Sequence, residues 1–426
     1  MAPSAVSTTP AEDVQKVTEL NAAAIQQKIA ETAPGQSKIV VENTLAPLDA
    51  SKLIFTPTTA PKEVPELNSA GILQGGLCTD HMITATWNER EGWAAPELRA
   101  YGPLNIMPTA SVLHYATECF EGMKVYRGFD GKLRLFRPDC NARRMLTSAT
   151  RIALPAFDPK ELEKLIITLL EVDGAKWLPK TRPGEFLYLR PSMIGTAARL
   201  GPQPPNEAML FVLANFMASL DGKKEGMKLL ASQEDMVRAW PGGFGYAKVG
   251  ANYGPALLAQ GEARRRGYDQ ILWLFGEDSQ VTEAGASNFC VIWKTKDGKL
   301  QLVTAPLGDK VILDGVTRRS LLQLARERLA DNKYGLEPIE VVERKYTMQE
   351  VKEAIEEGRM VEAFACGTAF FVAPVSEINF RNESLAIPMV GGHTGEYAAL
   401  LKSWLKNIMY GKEQHEWGVV INEREA

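Results

Sequence analysis

The chain has 426 residues, room for two or three domains at roughly 150 residues each. Hydrophobic residues make up 45% and charged residues 23%, which excludes a disordered, collagen-like or low-complexity chain. The net charge is −4 and no run of five or six like charges occurs, so neither nucleic acid nor a membrane surface is an expected partner. We expect a compact protein that acts on small molecules.

Cysteine and histidine spacings argue against a disulfide framework or a metal site. The five cysteines are far apart and form no CxxC pair, so we interpret them as reduced, buried thiols. The four histidines stand singly, without an HExxH spacing, and we predict no bound metal. The longest strongly apolar stretch, residues 209–220, falls short of the roughly 20 residues that a membrane helix needs. We therefore predict a soluble protein.

The N-terminal segment predicts an appended helix and a covering arm. Residues 1–34 lack a basic region followed by an apolar core, and they are net acidic without arginine. We therefore expect a cytoplasmic protein, with mitochondrial import as the less favoured alternative. The TPAE sequence at 9–12 has the pattern of a capping box and predicts a short helix. The proline-rich stretch that follows suits an arm or linker, and the main body is expected to start near Gly71.

Beyond Gly71, strands and helices intermingle, which is typical of α/β or α+β proteins. Short apolar or aromatic runs predict strands at 185–190, 209–213, 269–275 and 288–293. Capping boxes predict helices that start at 158–161 and 347–350, and an apolar face predicts a helix over 318–329. The polar, glycine-punctuated segment at 221–226 is the best candidate for a domain boundary. We divide the chain into an extension and arm (1–70), an N-terminal domain (71–220), a linker (221–232) and a C-terminal domain (233–426).

The most informative segment, residues 241–254, places five glycines around Lys248. It matches neither the Walker phosphate loop nor the dinucleotide fingerprint. A lysine in this uncharged, small-residue setting could be a nucleophile that forms a Schiff base. It could equally be a surface lysine in a flexible loop, and this segment alone leaves both interpretations open.

Two further residues favour cofactor chemistry. Glu283 lies between two predicted strands, and Tyr253 stands five residues after Lys248. A pyridoxal phosphate (PLP) enzyme needs a lysine, an acid beside the pyridine nitrogen and often a phenol near the ring oxygen. All three residue types are present. Taken singly, however, Glu283 is more often a turn or cap acid and Tyr253 a core aromatic.

The sequence from about Thr79 to Trp417 closely resembles the branched-chain amino acid aminotransferases, which are fold-type IV PLP enzymes. The matching motifs are TDHM (79–82), YGP (101–103), LHY (113–115), CFEGMKVYR (119–127), LFRP (135–138), KVGANYG (248–254), TEAG (282–285) and LDGVTR (313–318). The family's long signature corresponds to residues 283–288 and 315–318. This resemblance implies a mixed α/β (α+β) protein with PLP between a small N-terminal and a large C-terminal, cofactor-binding domain. It also implies a homodimer whose sites are completed by a partner loop.

The resemblance further implies roles at matching positions. Lys248 would carry PLP and move the substrate proton, Glu283 would bind the pyridine nitrogen, and Tyr253 would lie near the ring oxygen. Arg144 would bind the phosphate, although its neighbour Arg143 is a competing candidate. Gly315, Val316 and Thr317, at the start of a predicted helix, would bind the phosphate through their backbone N–H groups, a use that a helix N-terminus favours. The turn at Thr368 and Ala369 would receive the substrate carboxylate.

The substrate pocket can be argued from residue types. Tyr115, Phe120 and Tyr188 resemble the family's pocket wall, and uncharged aromatic walls suit leucine, isoleucine and valine. Strand alternation puts Arg190 on the Tyr188 face, where it could meet the distal carboxylate of glutamate. We therefore predict ping-pong transfer of the amino group from these amino acids to 2-oxoglutarate, giving branched 2-oxo acids and L-glutamate. The alternatives are a D-amino acid aminotransferase or PLP lyase of the same fold, or a non-catalytic PLP-binding paralogue.

Some positions depart from the family pattern. Phe370 and Ala373 stand where many animal relatives have a redox CxxC, so thiol switching by that route is not expected. Ala286 replaces a threonine that is common behind the cofactor ring, and Cys290 replaces an aromatic residue. Residues 56–78 are interpreted as an insertion, and Phe55 is therefore given no role in the pocket.

Overall fold

The computed structural model describes residues 45–67, 69, 72, 75–217, 225–392 and 394–424. The chain divides into two compact units, residues 1–45 and 46–426, and the fold below is that of the second unit. The helix predicted to start at residues 9–12 lies outside the described residues. None of the helices in the described ranges is long and apolar enough to cross a membrane.

The described residues form seven α-helices and nineteen strands. The helices are α1 (Ser111–Tyr115), α2 (Pro138–Arg151), α3 (Pro159–Trp177), α4 (Gly254–Arg265), α5 (Val316–Arg328), α6 (Met348–Glu356) and α7 (Glu396–Met409). The strands up to the middle of the chain are β1 (Ile54–Phe55), β2 (His81–Asn88), β3 (Gly92–Trp93), β4 (Glu97–Ala100), β5 (Glu118–Phe120), β6 (Met123–Arg127), β7 (Leu133–Phe136), β8 (Phe186–Gly195) and β9 (Glu207–Asn215). The later strands are β10 (Met227–Ala231), β11 (Gln270–Phe275), β12 (Gln280–Ala284), β13 (Ser287–Lys294), β14 (Leu300–Thr304), β15 (Glu340–Glu343), β16 (Met360–Gly367), β17 (Phe371–Phe380), β18 (Glu383–Ala386) and β19 (Gly418–Val420).

The first sheet has ten strands, with β1-β4-β2-β9-β8-β6-β7-β19 in order, β3 paired with β2 and β5 paired with β8. Its long central strands run antiparallel, so alternate residues face a common core. Helices α2 and α3 pack on this core through residues such as Met145, Leu165 and Leu169, all fully buried. The short strand β5 ends at Phe120, the first of the FEG residues (120–122) of the 119–127 motif, and Glu121 and Gly122 follow in irregular structure.

The second sheet has nine strands, with β12-β11-β10-β17-β16-β13-β14-β15 in order and β18 paired with β17. An additional pairing of β12 with β13 closes six of these strands into a barrel. Strand β10 is parallel to both of its neighbours, β11 and β17. The buried strands carry continuous apolar runs, because both faces are covered.

The predicted strands are confirmed: 209–213 and 288–293 fall within β9 and β13, and 185–190 and 269–275 begin one residue before β8 and β11. The predicted helices correspond to α3, α5 and α6, and the capping box at Thr347 and Glu350 is present. The capping box predicted at 158–161 is wrong in detail. Asp158 caps Lys160 N at 2.9 Å, but the Glu161 carboxylate accepts from Ala50 N at 2.7 Å, because the N-terminal arm lies against this helix start.

Two features differ from the predicted division of the chain. Within the linker predicted at 221–232, residues 227–231 form strand β10, because Met227, Leu229 and Ala231 are buried in one core cluster and Leu230 is buried against α4. Strand β19, near the C-terminus, pairs with β7 of the first sheet. The division into an N-terminal and a C-terminal domain stays a prediction.

Candidate active site

The loop that carries Lys248 is fastened to the first sheet. Lys248 O accepts from Phe120 N at 3.1 Å, and Lys248 N donates to the Ser148 hydroxyl at 2.7 Å. Buried Asn252 donates to Ala247 O at 2.8 Å and so closes the loop behind the lysine. The backbone of Lys248 is therefore held from both sides, although it lies in irregular structure.

The glycines of this loop serve close packing against protein. A Cβ at position 250 would lie 1.8 Å from Oε1 of Glu118, and one at position 245 would lie 2.7 Å from the Val311 backbone. Only glycine permits such approaches. Two of the five glycines, Gly245 and Gly250, are thus explained by the way the loop fits between β5 and the backbone at 310–311.

The Lys248 ammonium group meets the aromatic residues that the sequence pointed to. Its Nζ donates to the Tyr253 hydroxyl at 3.0 Å and lies 4.9 Å from the centre of the Phe120 ring. The Phe120 and Tyr253 rings lie 5.2 Å apart. The predicted lysine, phenol and pocket-wall phenylalanine are therefore brought together.

Arg190 lies on the same side of β8 as Tyr188, as strand alternation predicts. Its guanidinium carbon is 4.7 Å from the Phe120 ring centre and 5.2 Å from the Tyr188 ring centre. Burial raises the pKa of the Tyr188 hydroxyl above its usual value, although the neighbouring Arg190 partly offsets this. A neutral phenol and a permanently charged guanidinium thus line the same aromatic wall.

Tyr115, the third predicted wall residue, lies elsewhere. It is 40% exposed at the end of α1, and its hydroxyl accepts from Gly201 N at 2.8 Å. Its ring contacts that of His114. Within the described part of this single chain, no ring contact joins Tyr115 to Phe120 or Tyr188.

Glu283 is buried, with 3% of its surface exposed, next to the turn of the β12–β13 hairpin. The two-residue turn at Gly285 and Ala286 places Asn288 directly opposite Glu283, where the Asn288 amide donates to the carboxylate at 3.1 Å. Leu313 N donates to the same carboxylate oxygen at 3.1 Å. The other oxygen forms an ion pair with Arg238. Three donors therefore favour the ionised carboxylate.

Arg144 and Arg143 point in different directions. The Arg143 side chain is 61% exposed and pairs with Asp139, whereas only 10% of the Arg144 side chain is exposed. The Arg144 guanidinium donates to both oxygens of Glu121, each at 2.7 Å, and to Asp314 O at 2.9 Å. Arg144 is thus the arginine that faces the site, next to the start of α5.

The start of α5 has a geometry that suits an anion. Gly315 is the N-cap residue and no side chain caps the first turn, so the N–H groups of that turn remain available. A Cβ at position 315 would lie 2.1 Å from the Asn288 amide oxygen, which explains the glycine. Since Glu283 binds Leu313 N and Arg144 binds Asp314 O, both anchor the segment that leads into this helix.

The turn at Thr368 and Ala369 connects β16 to β17 and reaches the same region. Thr368 lines a cavity together with Val316 and Thr317 of α5. Ala369 O accepts from the Nζ of Lys124, which is buried and lies between the Phe186 and Phe371 rings. The turn that the sequence pointed to is therefore tied to the first sheet through Lys124.

Several residues of the site received no role from sequence reasoning. They are Glu121, Lys124, Ser148, Arg238 and Asn288. Glu121 and Lys124 stand within the 119–127 motif and Asn288 closes the 283–288 signature, so a signal existed for these three. Ser148 and Arg238 belong to none of the matched motifs, and only the three-dimensional contacts reveal them.

Other predicted features concern the thiols and metals. All five cysteines are buried and free, as expected. Among the described residues, no group of three or more acidic, histidine or cysteine side chains could hold a metal ion. The absence of a bound metal stays a prediction.

Comparisons with known proteins agree with this geometry. The family described as amino-transferase class IV matches residues 118–378. The cytosolic branched-chain-amino-acid aminotransferase of Saccharomyces cerevisiae is 45% identical over 89% of this chain and 99% of its own. The mitochondrial branched-chain-amino-acid aminotransferase of Schizosaccharomyces pombe is 42% identical over 88% of this chain and 86% of its own.

A solved structure supports the fold. It is the crystal structure of the branched-chain amino acid aminotransferase from Thermobaculum terrenum in its PLP-bound holo form. It aligns with a TM-score of 0.60 and 23% identity, over 80% of this chain and 98% of that one. The chain therefore has the fold-type IV architecture that the sequence predicts and belongs to the class IV aminotransferases, within the group of branched-chain-amino-acid aminotransferases.

Proposed function

We propose that this chain is a PLP-dependent transaminase that transfers the amino group of L-leucine, L-isoleucine or L-valine to 2-oxoglutarate. The products are branched 2-oxo acids and L-glutamate, formed in two half-reactions. The observation that carries the proposal is the Lys248 ammonium group, 3.0 Å from the Tyr253 hydroxyl and against an aromatic wall that ends in Arg190. We propose a cytoplasmic location, with mitochondrial import as the alternative, since the relatives include cytosolic and mitochondrial enzymes.

The residues of the site suit both the phosphate group and the pyridine nitrogen of PLP. The uncapped start of α5 and the adjacent Arg144 suit a phosphate group, because both offer N–H donors and positive charge. The buried Glu283 carboxylate, kept ionised by Arg238 and Asn288, suits a protonated pyridine nitrogen. Bound PLP supplies an electron sink for the electron pair left when a proton leaves the substrate Cα.

The protein groups then have separate tasks. Lys248 would hold the cofactor through Nζ and, after the substrate amine displaces it, carry the proton away from Cα. Tyr253 accepts a hydrogen bond from this Nζ and so orients it. The backbone N–H groups of the Thr368–Ala369 turn would bind the substrate carboxylate, which directs the substrate side chain toward the Phe120 wall.

One pocket must accept both an apolar side chain and a carboxylate. Phe120 and Tyr188 offer ring surfaces to an isobutyl or sec-butyl group. Arg190 lies across both rings, so its guanidinium can bind the distal carboxylate of glutamate or 2-oxoglutarate. When leucine is bound, the guanidinium remains stacked on the rings and needs no other anion.

The visible absorbance of the purified protein tests the activity. We expect the cofactor band to shift on adding L-leucine and to return with 2-oxoglutarate. D-alanine should cause no change, and Lys248→Ala should lose the response. A response to D-alanine alone would favour a D-amino acid aminotransferase of the same fold, and no response to any amino acid would favour a non-catalytic PLP-binding paralogue.

Arg190→Gln tests the dual specificity. We expect KM for 2-oxoglutarate to rise about ten- to hundredfold, because a hydrogen bond to a charged group is lost, with about threefold or less for L-leucine. The exposed Arg90→Gln, in the turn between β2 and β3, serves as the matched control and should change neither value. An equal rise for both substrates would assign Arg190 to the shape of the pocket and not to the distal carboxylate.

We also propose a homodimer. Met107, Leu113 and Leu200 are 60%, 56% and 64% exposed. Met107 and Leu113 precede the exposed Tyr115 in the chain, and Leu200 adjoins Gly201, whose N–H donates to the Tyr115 hydroxyl. The two loops that carry them are joined by a bridge between Ala110 and Ala198. An exposed apolar patch of this kind is typical of a protein interface. A second copy that covers the patch would place Tyr115 at the boundary of the partner's site.

Sedimentation analysis of Leu113→Arg tests this interface. We expect the wild-type chain to sediment at twice the chain mass and Leu113→Arg at the chain mass, because an arginine cannot be buried there unpaired. Val390→Arg, at an exposed apolar residue outside the patch, is the control and should sediment as the wild-type chain does. A wild-type chain that sediments as a monomer would contradict the proposal.

A further inference from the structure

Glu121 is a buried charge with no task in the proposed reaction. It follows β5 directly, and none of its surface is exposed. Its carboxylate accepts from Arg144 Nε and Nη2, each at 2.7 Å, from the Asn141 amide at 2.8 Å and from Gly122 N at 3.2 Å. Both oxygens therefore have partners, and the pair with Arg144 is bidentate.

The carboxylate is charged in the folded protein. Burial by itself raises the pKa of Glu121, but the Arg144 guanidinium, the Lys248 charge and the Asn141 amide together outweigh burial, so the pKa lies below its usual value. Burial lowers the pKa of the Arg144 guanidinium, but the Glu121 carboxylate outweighs burial, so this pKa lies above its usual value. The pair therefore persists as an ion pair near neutral pH.

The pair fixes the direction of the guanidinium. A planar guanidinium held at two N–H groups by one carboxylate cannot rotate about its own axis. A third N–H group donates to Asp314 O at 2.9 Å, beside the start of α5. In the described part of the chain these contacts use three of the five N–H groups of Arg144. The other two remain for a ligand at the helix start.

We propose that Glu121 is a positioning residue that holds the Arg144 guanidinium against the N-terminus of α5, so that its two remaining N–H groups face the phosphate of bound PLP. This inference rests on the proposed function, since it requires that PLP binds with its phosphate at α5. Glu121 itself touches neither the phosphate nor the substrate and acts through Arg144. A residue that only neutralised the Arg144 charge could be replaced by any nearby carboxylate. Glu121, in contrast, sets the affinity for the PLP phosphate also through its geometry, because it fixes the direction of the guanidinium.

Cofactor affinity with and without the phosphate group separates these two roles. The full chain, stripped of cofactor, is titrated with PLP and with pyridoxal, and binding is followed by visible absorbance. We expect Glu121→Gln to weaken PLP binding about ten- to hundredfold, as for other residues that orient a ligand's direct contacts, and to leave pyridoxal binding within about threefold. An equal loss for both ligands, or no loss for PLP, would overturn the inference.

Glu121→Asp is a second variant that tests the inference if Glu121→Gln does not fold. It keeps the charge that neutralises Arg144, but its side chain is one methylene too short to hold both N–H groups in place. We expect PLP binding to weaken about three- to tenfold, with pyridoxal binding unchanged. Glu163→Gln, the same chemical change on α3, is the control and should alter neither ligand.

A double-variant cycle tests whether Glu121 acts through Arg144. If it does, adding Glu121→Gln to Arg144→Gln should cause no further loss of PLP affinity. Independent, multiplicative losses would overturn the inference.

The L-leucine response of the wild-type holoenzyme distinguishes a failure of the proposed function from a failure of this inference. A wild type that ignores L-leucine sinks the proposed function, whereas a responsive wild type with an unselective Glu121→Gln variant sinks only this inference.

Discussion

Three consecutive residues, Phe120, Glu121 and Gly122, each meet a different part of the site. The Phe120 ring contacts Tyr253, and the Glu121 carboxylate holds Arg144. Gly122 packs against the Tyr188 hydroxyl. A short stretch of chain thus connects the lysine, the arginine and the pocket wall, because it runs between the edge of β8 and helix α2.

Gly122→Ala should disturb the pocket wall. An added Cβ would lie 1.9 Å from the Tyr188 hydroxyl oxygen, so the ring has to move. We expect a stability loss of about 1–3 kcal/mol and a higher KM for both substrates. Urea unfolding and steady-state kinetics measure these effects. Gly102→Ala, where a Cβ meets nothing within 4 Å, is the control, and equal behaviour of the two variants would contradict the prediction.

Lys124→Met should weaken substrate binding and leave cofactor binding intact. The substitution keeps the apolar stem between Phe186 and Phe371 but removes the donor to Ala369 O, which ties the Thr368–Ala369 turn, proposed to bind the substrate carboxylate, to the first sheet. We expect KM for L-leucine to rise about three- to tenfold. Kinetics and a PLP titration measure the two effects, and a loss of PLP affinity as large as the rise in KM would contradict this view.

At the scale of elements, two buried carboxyl groups each depend on a glycine where two elements meet. The β12–β13 turn uses Gly285, with φ +58°, to place Glu283 opposite Asn288. The start of α7 contacts a second buried carboxyl group, that of Glu362 on β16, which accepts from Ala398 N at 2.8 Å. A Cβ at Gly395 would lie 1.1 Å from this carboxylate, so the helix start and the strand require a glycine where they meet.

Glu362→Gln should change the pH dependence of stability. Burial raises the pKa of Glu362 to about 7, from an ordinary value of 4.5. The folded chain then holds this proton more tightly than the unfolded chain, so the free energy of unfolding falls as the pH rises from about 4.5 to about 7. The full loss is on the order of 3 kcal/mol. Since a glutamine cannot ionise, the variant should be more stable than wild type at pH 8 and similar at pH 4.5.

Urea unfolding between pH 4.5 and pH 8 measures this difference. Glu277→Gln, at an exposed carboxylate between β11 and β12, should retain the wild-type pH dependence. Parallel curves for wild type and Glu362→Gln would show that Glu362 does not titrate in this range.

At the scale of the whole unit from 46 to 426, the last strand returns to the sheet that contains the first. After α7 the backbone runs back to this sheet, where β19 pairs with β7. Fully buried Arg127 of β6 forms a bidentate ion pair with Glu423, at 2.7 and 2.6 Å, and also donates to Leu178 O and Gly131 O. The C-terminal segment therefore covers the β7 edge of the first sheet, the same sheet to which the FEG residues belong.

Glu423→Ala should destabilise the protein. It leaves the buried Arg127 guanidinium without its carboxylate, for which we expect a loss of about 3–5 kcal/mol in the free energy of unfolding. The exposed Glu416→Ala, in the same segment, should change stability by about 0.5 kcal/mol or less. Denaturant unfolding measures both, and an equally small effect at Glu423 would mean that the segment is not held by this pair.

Local sequence information was enough for much of the fold and the central chemistry. The strands at β8, β9, β11 and β13 follow from apolar runs, and the capping box at Thr347 from its residue types, because both depend on neighbours in the chain. Residue type and setting already single out Lys248, Tyr253 and Glu283, and the resemblance carried by short motifs then favours their catalytic interpretation over the structural one. Their contacts agree with that choice, although their catalytic roles stay predictions.

Contacts between distant parts of the chain decided the rest. No local pattern distinguishes Arg144 from Arg143, and only the packing of α2 turns one inward to Glu121 and the other outward to Asp139. Arg238 reaches Glu283 across 45 residues, and strand β10 occupies part of the predicted linker because the barrel needs a strand there. The amino-acid sequence by itself therefore determined which residue types and elements were available. The tertiary structure decided which of them meet, because burial, ion pairing and close glycine contacts depend on neighbours that lie far away in the sequence.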